Sequence, residues 1–256
     1  MRPTKMMGSI FLAGVAALAL ASPAAAQDAK AILKSMSDYV SSQKNITVAF
    51  DSDIEVMTTD LEKIQFTSSG QLQITRPDKL HVTRKGGYAD FELYYDGKML
   101  TVRDKDLNEA ANTPAPASID ALVDDLRSKL GVEAPGADLI LTTVGDALSK
   151  DVIEAKYVGQ GIVDGVECDH LAFRNEEVDW QLWVETGSRP VPRKYVITSK
   201  TVTGAPQYTL RLGRWSDAAV DSSAYTMSDA GVKMVGPGEL NNIDEVPPGS
   251  VVEMKP

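Results

Sequence analysis

Between Ile46 and Ile74 the hydrophobic side chains recur at every second residue, and that rhythm constrains the fold more than any other feature of the chain. Val48, Phe50, Ile54 and Val56 alternate with Thr47, Asp51, Asp53 and Glu55, and Ile64, Phe66, Leu72 and Ile74 alternate with Gln65, Thr67, Gln71 and Gln73. Successive side chains of a strand point to opposite faces, so the pattern predicts two long antiparallel strands with one apolar face. Shorter runs predict strands over 79–85, 90–95 and 98–103, the last two joined at Asp96-Gly97, a pair that readily adopts the positive φ of a tight hairpin. Further strands are expected near 152–159, 166–174, 178–185, 192–200 and 206–215, separated by turn formers such as Asp164-Gly165.

Three stretches carry helical spacing instead. Ala29, Ile32, Leu33, Met36, Tyr39 and Val40 form one stripe over 28–42, with Asp28 as the expected cap. After Thr113-Pro-Ala-Pro-Ala-Ser118 interrupts the strands, Ser118 is placed to cap a helix whose stripe is Ile119, Leu122, Val123, Leu126 and Leu130, stopped by Gly131. A weaker helical pattern follows Pro135, from Asp138 to Leu148. About ten strands and three helices predict a mainly β fold with inserted helices, of the α+β class. The expected form is an unclosed antiparallel barrel of about ten to eleven strands with a helical lid near 118–148.

In that form, Phe50, Ile64, Phe66, Leu72, Ile74, Leu80, Val82, Phe91, Leu93, Tyr95, Trp180, Leu182, Tyr195 and Tyr208 are candidates to line a cavity, with Ile153, Tyr157, Ile197 and Leu210 beside them. Each one taken singly fits equally a packed core; the set suits an acyl chain. Exposing a chain of about 16 carbons to water costs roughly 12 kcal/mol at about 0.8 kcal/mol per methylene, so lipid moving through an aqueous compartment needs such shelter. The same geometry also suits another protein's peptide.

The first 26 residues place that compartment outside the cytoplasm. Arg2 and Lys5 precede an apolar run from Ile10 to Leu20, and Ala24-Ala25-Ala26 forms an A-x-A cleavage site before Gln27, the pattern of a secretory signal peptide. The expected division is a signal peptide over 1–26, a domain over 27–235 and a Gly/Pro-rich extension over 236–256. The apolar run is about half the length of a membrane span. Removing its two basic residues from 26 leaves 24 Lys and Arg against 36 Asp and Glu, a net charge of −12. That balance argues against nucleic acid and anionic membrane surfaces as partners.

Candidate chemistry is thin. Cys168 is the only cysteine, so no intrachain disulfide forms. Cys168 and His170 share one face of a strand but lie roughly 6.5 to 7 Å apart along it, too far for a nucleophile–base hydrogen bond; a hydrolase built on them is the least favoured reading. His170 interrupts the alternation, which predicts a bulge there. Asp124-Asp125, Glu176-Glu177 and Asp104/Asp106 do not complete a calcium loop. Trp180 and Trp183 fall on opposite faces of one strand, so one can face a cavity while the other joins Trp215 in a surface patch. No motif calls for a cofactor, a metal or catalysis.

Gly70-Gln-Leu72-Gln-Ile74-Thr-Arg76-Pro77, followed by Tyr95-Asp96-Gly97-Lys98, resembles the lipoprotein-carrier family of LolA and its relatives. The run from Tyr208 to Trp215, continued by Ala219 to Met227, looks like that family's closing strand. Cys168-Asp-His170-Leu-Ala-Phe173-Arg174, Asp179-Trp-Gln-Leu-Trp-Val184 and Pro192-Arg-Lys-Tyr195 resemble more closely a set of predicted periplasmic proteins, a domain of unknown function on the same fold. The resemblance implies a soluble periplasmic protein that binds acyl chains of a lipid or lipoprotein, with a place in outer-membrane biogenesis. It also implies that Arg76 bonds to lid backbone, where Ile119, Leu122, Val123 and Leu126 form the lid's apolar stripe. Leu80 and Val82 stand where the carriers favour aromatic residues. A ligand-sensing envelope-stress regulator that binds a partner protein is the alternative on the same fold.

Overall fold

A computed structural model describes residues 23–240 apart from 131 and 133, together with 246 and 247. Most of the expected signal peptide, up to residue 22, the expected stop at Gly131 and most of the expected C-terminal extension lie outside the described residues. Twelve strands form one sheet: β1 (Asn45–Met57), β2 (Lys63–Thr75), β3 (Lys79–Gly86), β4 (Asp90–Tyr95), β5 (Met99–Asp104), β6 (Glu109–Pro114), β7 (Glu154–Val163), β8 (Val166–Arg174), β9 (Val178–Glu185), β10 (Pro192–Ser199), β11 (Gln207–Ser216) and β12 (Lys233–Met234). Their order is β12-β6-β5-β4-β3-β2-β1-β11-β10-β9-β8-β7, antiparallel throughout except for the two-residue β12 beside β6. β12 and β7 do not pair, so the barrel is unclosed.

Ten strands fall where the alternation put them. β6 was not foreseen, because its sequence EAANTP buries only the small side chains Ala110 and Ala111 and ends in proline. The resemblance to a closing strand is corrected: β11 sits in the middle of the sheet between β1 and β10, and residues 219–227 form no strand, only a 3-10 turn at Ser222–Tyr225. The Asp96-Gly97 turn forms as read, with Gly97 at φ 88° and the Asp96 carboxylate accepting from the amides of Lys98 and Met99. Asp164 and Gly165, at φ 48° and 79°, turn β7 into β8. The irregularity expected at His170 appears on its partner, where β7 shifts register between Tyr157 and Gly159.

Helix α1 (Pro23–Ser42) begins earlier than expected, so Asp28 lies within it and does not cap it; Ala24 to Ala26, good helix formers, continue the turn backwards. Its stripe Ala29, Leu33, Met36 and Val40 is fully buried against β7, with further contact to β8 and β9. Helix α2 (Ile119–Leu130) starts at Ser118, whose Oγ accepts from the Ala121 amide. The single helix expected over 138–148 is instead a 3-10 turn, Ala137–Ile140, and a short α3 (Val144–Ser149). Gly145 of α3 approaches Ser37 of α1 so closely that a Cβ there would lie 3.2 Å from the serine Cβ.

Position in the sheet explains what the insert does. β6 lies near one end of the sheet and β7 forms the other, and the chain between them carries α2, the 3-10 turn and α3. The insert therefore runs from one open side of the barrel to the other, across the inner face.

Candidate functional site: the inner face of the sheet

Register sets out the inner face row by row. In the row nearest the helices Ile46, Ile74, Leu80, Tyr95 and Leu100 are neighbours across β1 to β5, and on the other half Leu171, Leu182 and Tyr195 face one another across β8 to β10. These residues are buried and join Ile119, Leu122 and Val123 of α2, Leu139 and Leu141, and Val144 and Leu148 of α3 in one cluster. Of the sequence-proposed lining, Ile74, Leu80, Tyr95, Trp180, Leu182 and Tyr195 are thus core. Trp180 stacks on Phe173 with ring centroids 3.9 Å apart and donates to Asn175, and the Tyr95 hydroxyl donates to the Pro116 carbonyl at the root of the insert. Burial raises the phenol of Tyr95 above its ordinary value and pushes that of Tyr195 well above it.

Further from the helices the inner face is covered unevenly: Ser52 and Ser68, hydrogen-bonded to each other, are buried, while the apolar side chains around them are half-buried and pack against the core. Leu72, Val82, Leu93 and Val102 form one row across β2 to β5, and Phe50, Gly70, Arg84 and Phe91 form the next across β1 to β4. All except the glycine present half-buried side chains. Phe66, Ile54, Tyr208 and Ile197 continue this half-buried surface through β2, β1, β11 and β10. The result is a shallow apolar trough beside the sealed core. Five strands from β5 to β1 span about 19 Å at roughly 4.8 Å per spacing. Gly70 is part of its construction: a Cβ there would fall 2.5 Å from Phe50 Cζ and closer still to the Thr83 carbonyl, so the phenyl ring lies over the bare backbone. Ile64 and Ile153 are corrected, for they are 40% and 69% exposed at the margins of the sheet and line nothing.

Arg76 ties sheet to insert. Its Nη2 donates to the Ile140 carbonyl at 2.7 Å and its Nε to the Gln43 carbonyl at 3.1 Å. Burial lowers its pKa and the nearby Asp120 carboxylate opposes that shift. Asp120 in turn accepts from the amide and hydroxyl of Thr142, and Arg127 pairs with Asp138 at 2.8 Å. These contacts, which spacing alone did not reveal, join α2 to the segment that follows it. Ile119, Leu122 and Val123, on the inward stripe of α2, are buried and Leu126 is half-buried.

Two cavities lie away from the trough. One of about 710 Å³, with Asp124, Arg127, Asp138 and Asp146 among its lining, opens between α2 and α3; one of about 190 Å³ lies between the end of α1 and Trp215. Cys168 is fully buried, its Sγ 3.5 Å from the Val166 carbonyl, and burial pushes its thiol up to about 11. His170 instead donates to Gln181 at 2.9 Å and stacks on Trp183, centroids 4.0 Å apart, so the two residues share no hydrogen bond. Lys194 lies over the same indole at 4.7 Å, which places Trp183 on the outer face; Trp215 donates to the Pro192 carbonyl. Among the described residues no three His, Cys, Asp or Glu are grouped to hold a metal ion, and no helix is long and apolar enough to cross a membrane.

The family model described as "Predicted periplasmic protein (DUF2092)" matches residues 29–230. The chain belongs to this DUF2092 family. The match runs from α1 through β11 and the 3-10 turn at Ser222–Tyr225, so the DUF2092 region contains the trough, Arg76 and the whole insert. No curated protein sequence matches the chain at a significant level. Among solved structures, the chain is similar to an uncharacterized conserved protein from Thermus thermophilus, with 11% identity over 82% of this chain and 99% of the other and a TM-score of 0.46. It is similar to the Mycobacterium tuberculosis lipoprotein LppX, with 13% identity over 77% and 98% of the chains and a TM-score of 0.48. A LolA superfamily protein from Nitrosomonas europaea shows 10% identity over 78% and 97%, with a TM-score of 0.32.

Proposed function

We propose that this DUF2092 protein is a periplasmic, non-catalytic binding protein that shelters acyl chains of a lipid or lipoprotein against the inner face of its sheet. The observation that carries the reading is the half-buried apolar row Leu72-Val82-Leu93-Val102, with Phe50 and Phe91 in the next row, lying beside a fully buried core. Apolar surface left half-covered on a concave sheet gains about 25 cal/mol per Å² when a ligand completes its burial. Displacing the insert, held by Arg76 and Asp120, would extend the trough into the core.

Native mass spectrometry of the protein purified without detergent from a cell-envelope extract tests this. The expected result is an added mass that extracts into organic solvent and is identified as lipid or acylated peptide. Leu93→Asp, in the trough, is expected to abolish the adduct, while Ile153→Asp, at the exposed margin, is expected to leave it. A bare protein mass, repeated after lipid is offered, would overturn the reading.

A partner-binding regulatory role draws on a different feature. β7 ends the sheet, and Ile153 beside it with Val158 and Ile162 within it are 69%, 51% and 69% exposed. A free edge with apolar side chains suits addition of a partner's strand through main-chain hydrogen bonds. In that case Ile162→Lys weakens partner capture and Leu93→Asp does not.

A further inference from the structure

The two ends of the sheet are finished differently. Neighbouring strands alternate in direction, so the β1–β2 and β5–β6 turns lie at one end, and the register of β7 on β8 puts Ile153 there as well. Ile46, Ile74, Tyr95 and Leu100, which cluster with the helices, lie toward the other end. At the first end Leu61 in the β1–β2 turn is 67% exposed, Leu107 in the β5–β6 turn 52% and Ile153 69%. Leu61 stands at φ 63°, a conformation that favours glycine or asparagine, and neither leucine belongs to the core cluster. Two bulky apolar side chains thus occupy turn positions where polar residues are usual and where they add nothing to the packing of the fold.

Three observations bear on what they meet. The two turns stand four strand spacings apart, about 19 Å at roughly 4.8 Å each, so their leucines are separate points, whereas a protein interface needs one contiguous, closely packed face. Asp60 and Glu62 flank Leu61 and Asp106 precedes Leu107, while Lys63 and Lys105, the nearest bases in sequence, pair with Glu55 and with Asp90 and Glu92 on the sheet. Such flanks repel an anionic surface. Helix α1 packs along β7 and its last turn leads into Asn45 at the opposite end, so it starts at this one. The chain before it, with its apolar run from Ile10 to Leu20, therefore leaves the domain here. Separate apolar points, acidic flanks and an apolar leader on one side fit a soft lipid surface without net charge.

We propose that the protein docks by this end on a zwitterionic phospholipid bilayer, with Leu61 and Leu107 set into the head-group region. The docking end is distinct from the trough, so it stands whether or not the trough holds an acyl chain.

The test is co-flotation of the protein, released from the cell envelope without detergent, with vesicles of phosphatidylethanolamine and phosphatidylcholine, and with vesicles in which part of that lipid is replaced by phosphatidylglycerol. The protein is expected to float with the first and less with the second, and higher salt to recover the loss by screening the repulsion. Leu61→Asn combined with Leu107→Asn, in which asparagine suits the left-handed turn, is expected to lower the partition about tenfold, the scale of losing two partly inserted leucines. Ile162→Asn, equally apolar and exposed but at the other end of β7, is expected to leave it unchanged. In a second measurement, the emission of the Leu107→Trp protein is expected to shift to the blue when the first vesicles are added; should the double substitution unfold the protein, this shift decides. No flotation with either vesicle, stronger flotation with phosphatidylglycerol present, a partition that survives the double substitution, an equal loss with Ile162→Asn, or an unshifted emission overturns the docking end. A bare protein mass in native mass spectrometry would overturn the acyl-chain reading and leave the docking end standing.

Discussion

Gly70 shows how much one hydrogen atom can matter on the inner face. The Phe50 ring occupies the place of its missing side chain, and the Thr83 carbonyl closes the other side. Gly70→Ala must push both away and is expected to lower stability by about 1–3 kcal/mol, the usual cost of overpacking, read from the urea midpoint. The two histidines carry a pH dependence. Burial is the largest cause lowering the pKa of His81, opposed by Glu92 and assisted by Lys105; burial also lowers His170, with Lys194 adding to it and the Gln181 hydrogen bond opposing. A histidine whose folded pKa lies below its unfolded value takes up a proton more readily when unfolded, so its contribution is complete above about 6.5 and declines as pH falls toward the folded value. The melting temperature is expected to drop between pH 7.5 and 5.5, and His81→Gln and His170→Gln each to flatten that drop in a calorimetric scan. At Cys168, a buried thiol raised to about 11 is expected to resist a thiol reagent at pH 8 and to react fully once the chain is unfolded.

At the scale of elements, Arg76 is one of the polar contacts that tie the insert to the sheet. Arg76→Met frees the Ile140 carbonyl and removes a charged donor from the root of α1. The expected outcome is faster hydrogen exchange over 137–149 with a loss of about 1.5–3 kcal/mol, the scale of hydrogen bonds to charged groups. If Leu122→Asp combined with Leu126→Asp left both bound lipid and melting temperature unchanged, the insert would not be a lid. Strands whose apolar side chains alternate were legible in the residues themselves, as β1, β2 and β9 show, because a one-sided environment writes a period of two. β6 left no such mark, since Ala110 and Ala111 fill their places without bulk, and β12 is two residues docked on β6 by tertiary placement alone. The inner-face residues were readable as a set. Their split into sealed core and open trough was not, because it depends on where α2 and α3 come to rest over a register that no local pattern encodes.

For the whole molecule, the decisive joint is between β1 and β11. Residues 47–54 pair with residues 208–216, and that seam joins the half of the sheet built from β1 to β6 to the half built from β7 to β11. A chain ending at Ser199 leaves β1 and β10 with bare edges in the middle of the sheet, and it is expected to show no cooperative thermal transition by circular dichroism. The separation along the chain also bears on timing. A strand made early that must wait for one more than 150 residues later is a non-local contact of the slowest kind to form. Residues leaving the ribosome first therefore have no mate until the seam's other side has been synthesised. For a polypeptide bound for the periplasm that delay is an advantage, since it keeps the nascent chain loose enough to be threaded through a membrane before the sheet can knit.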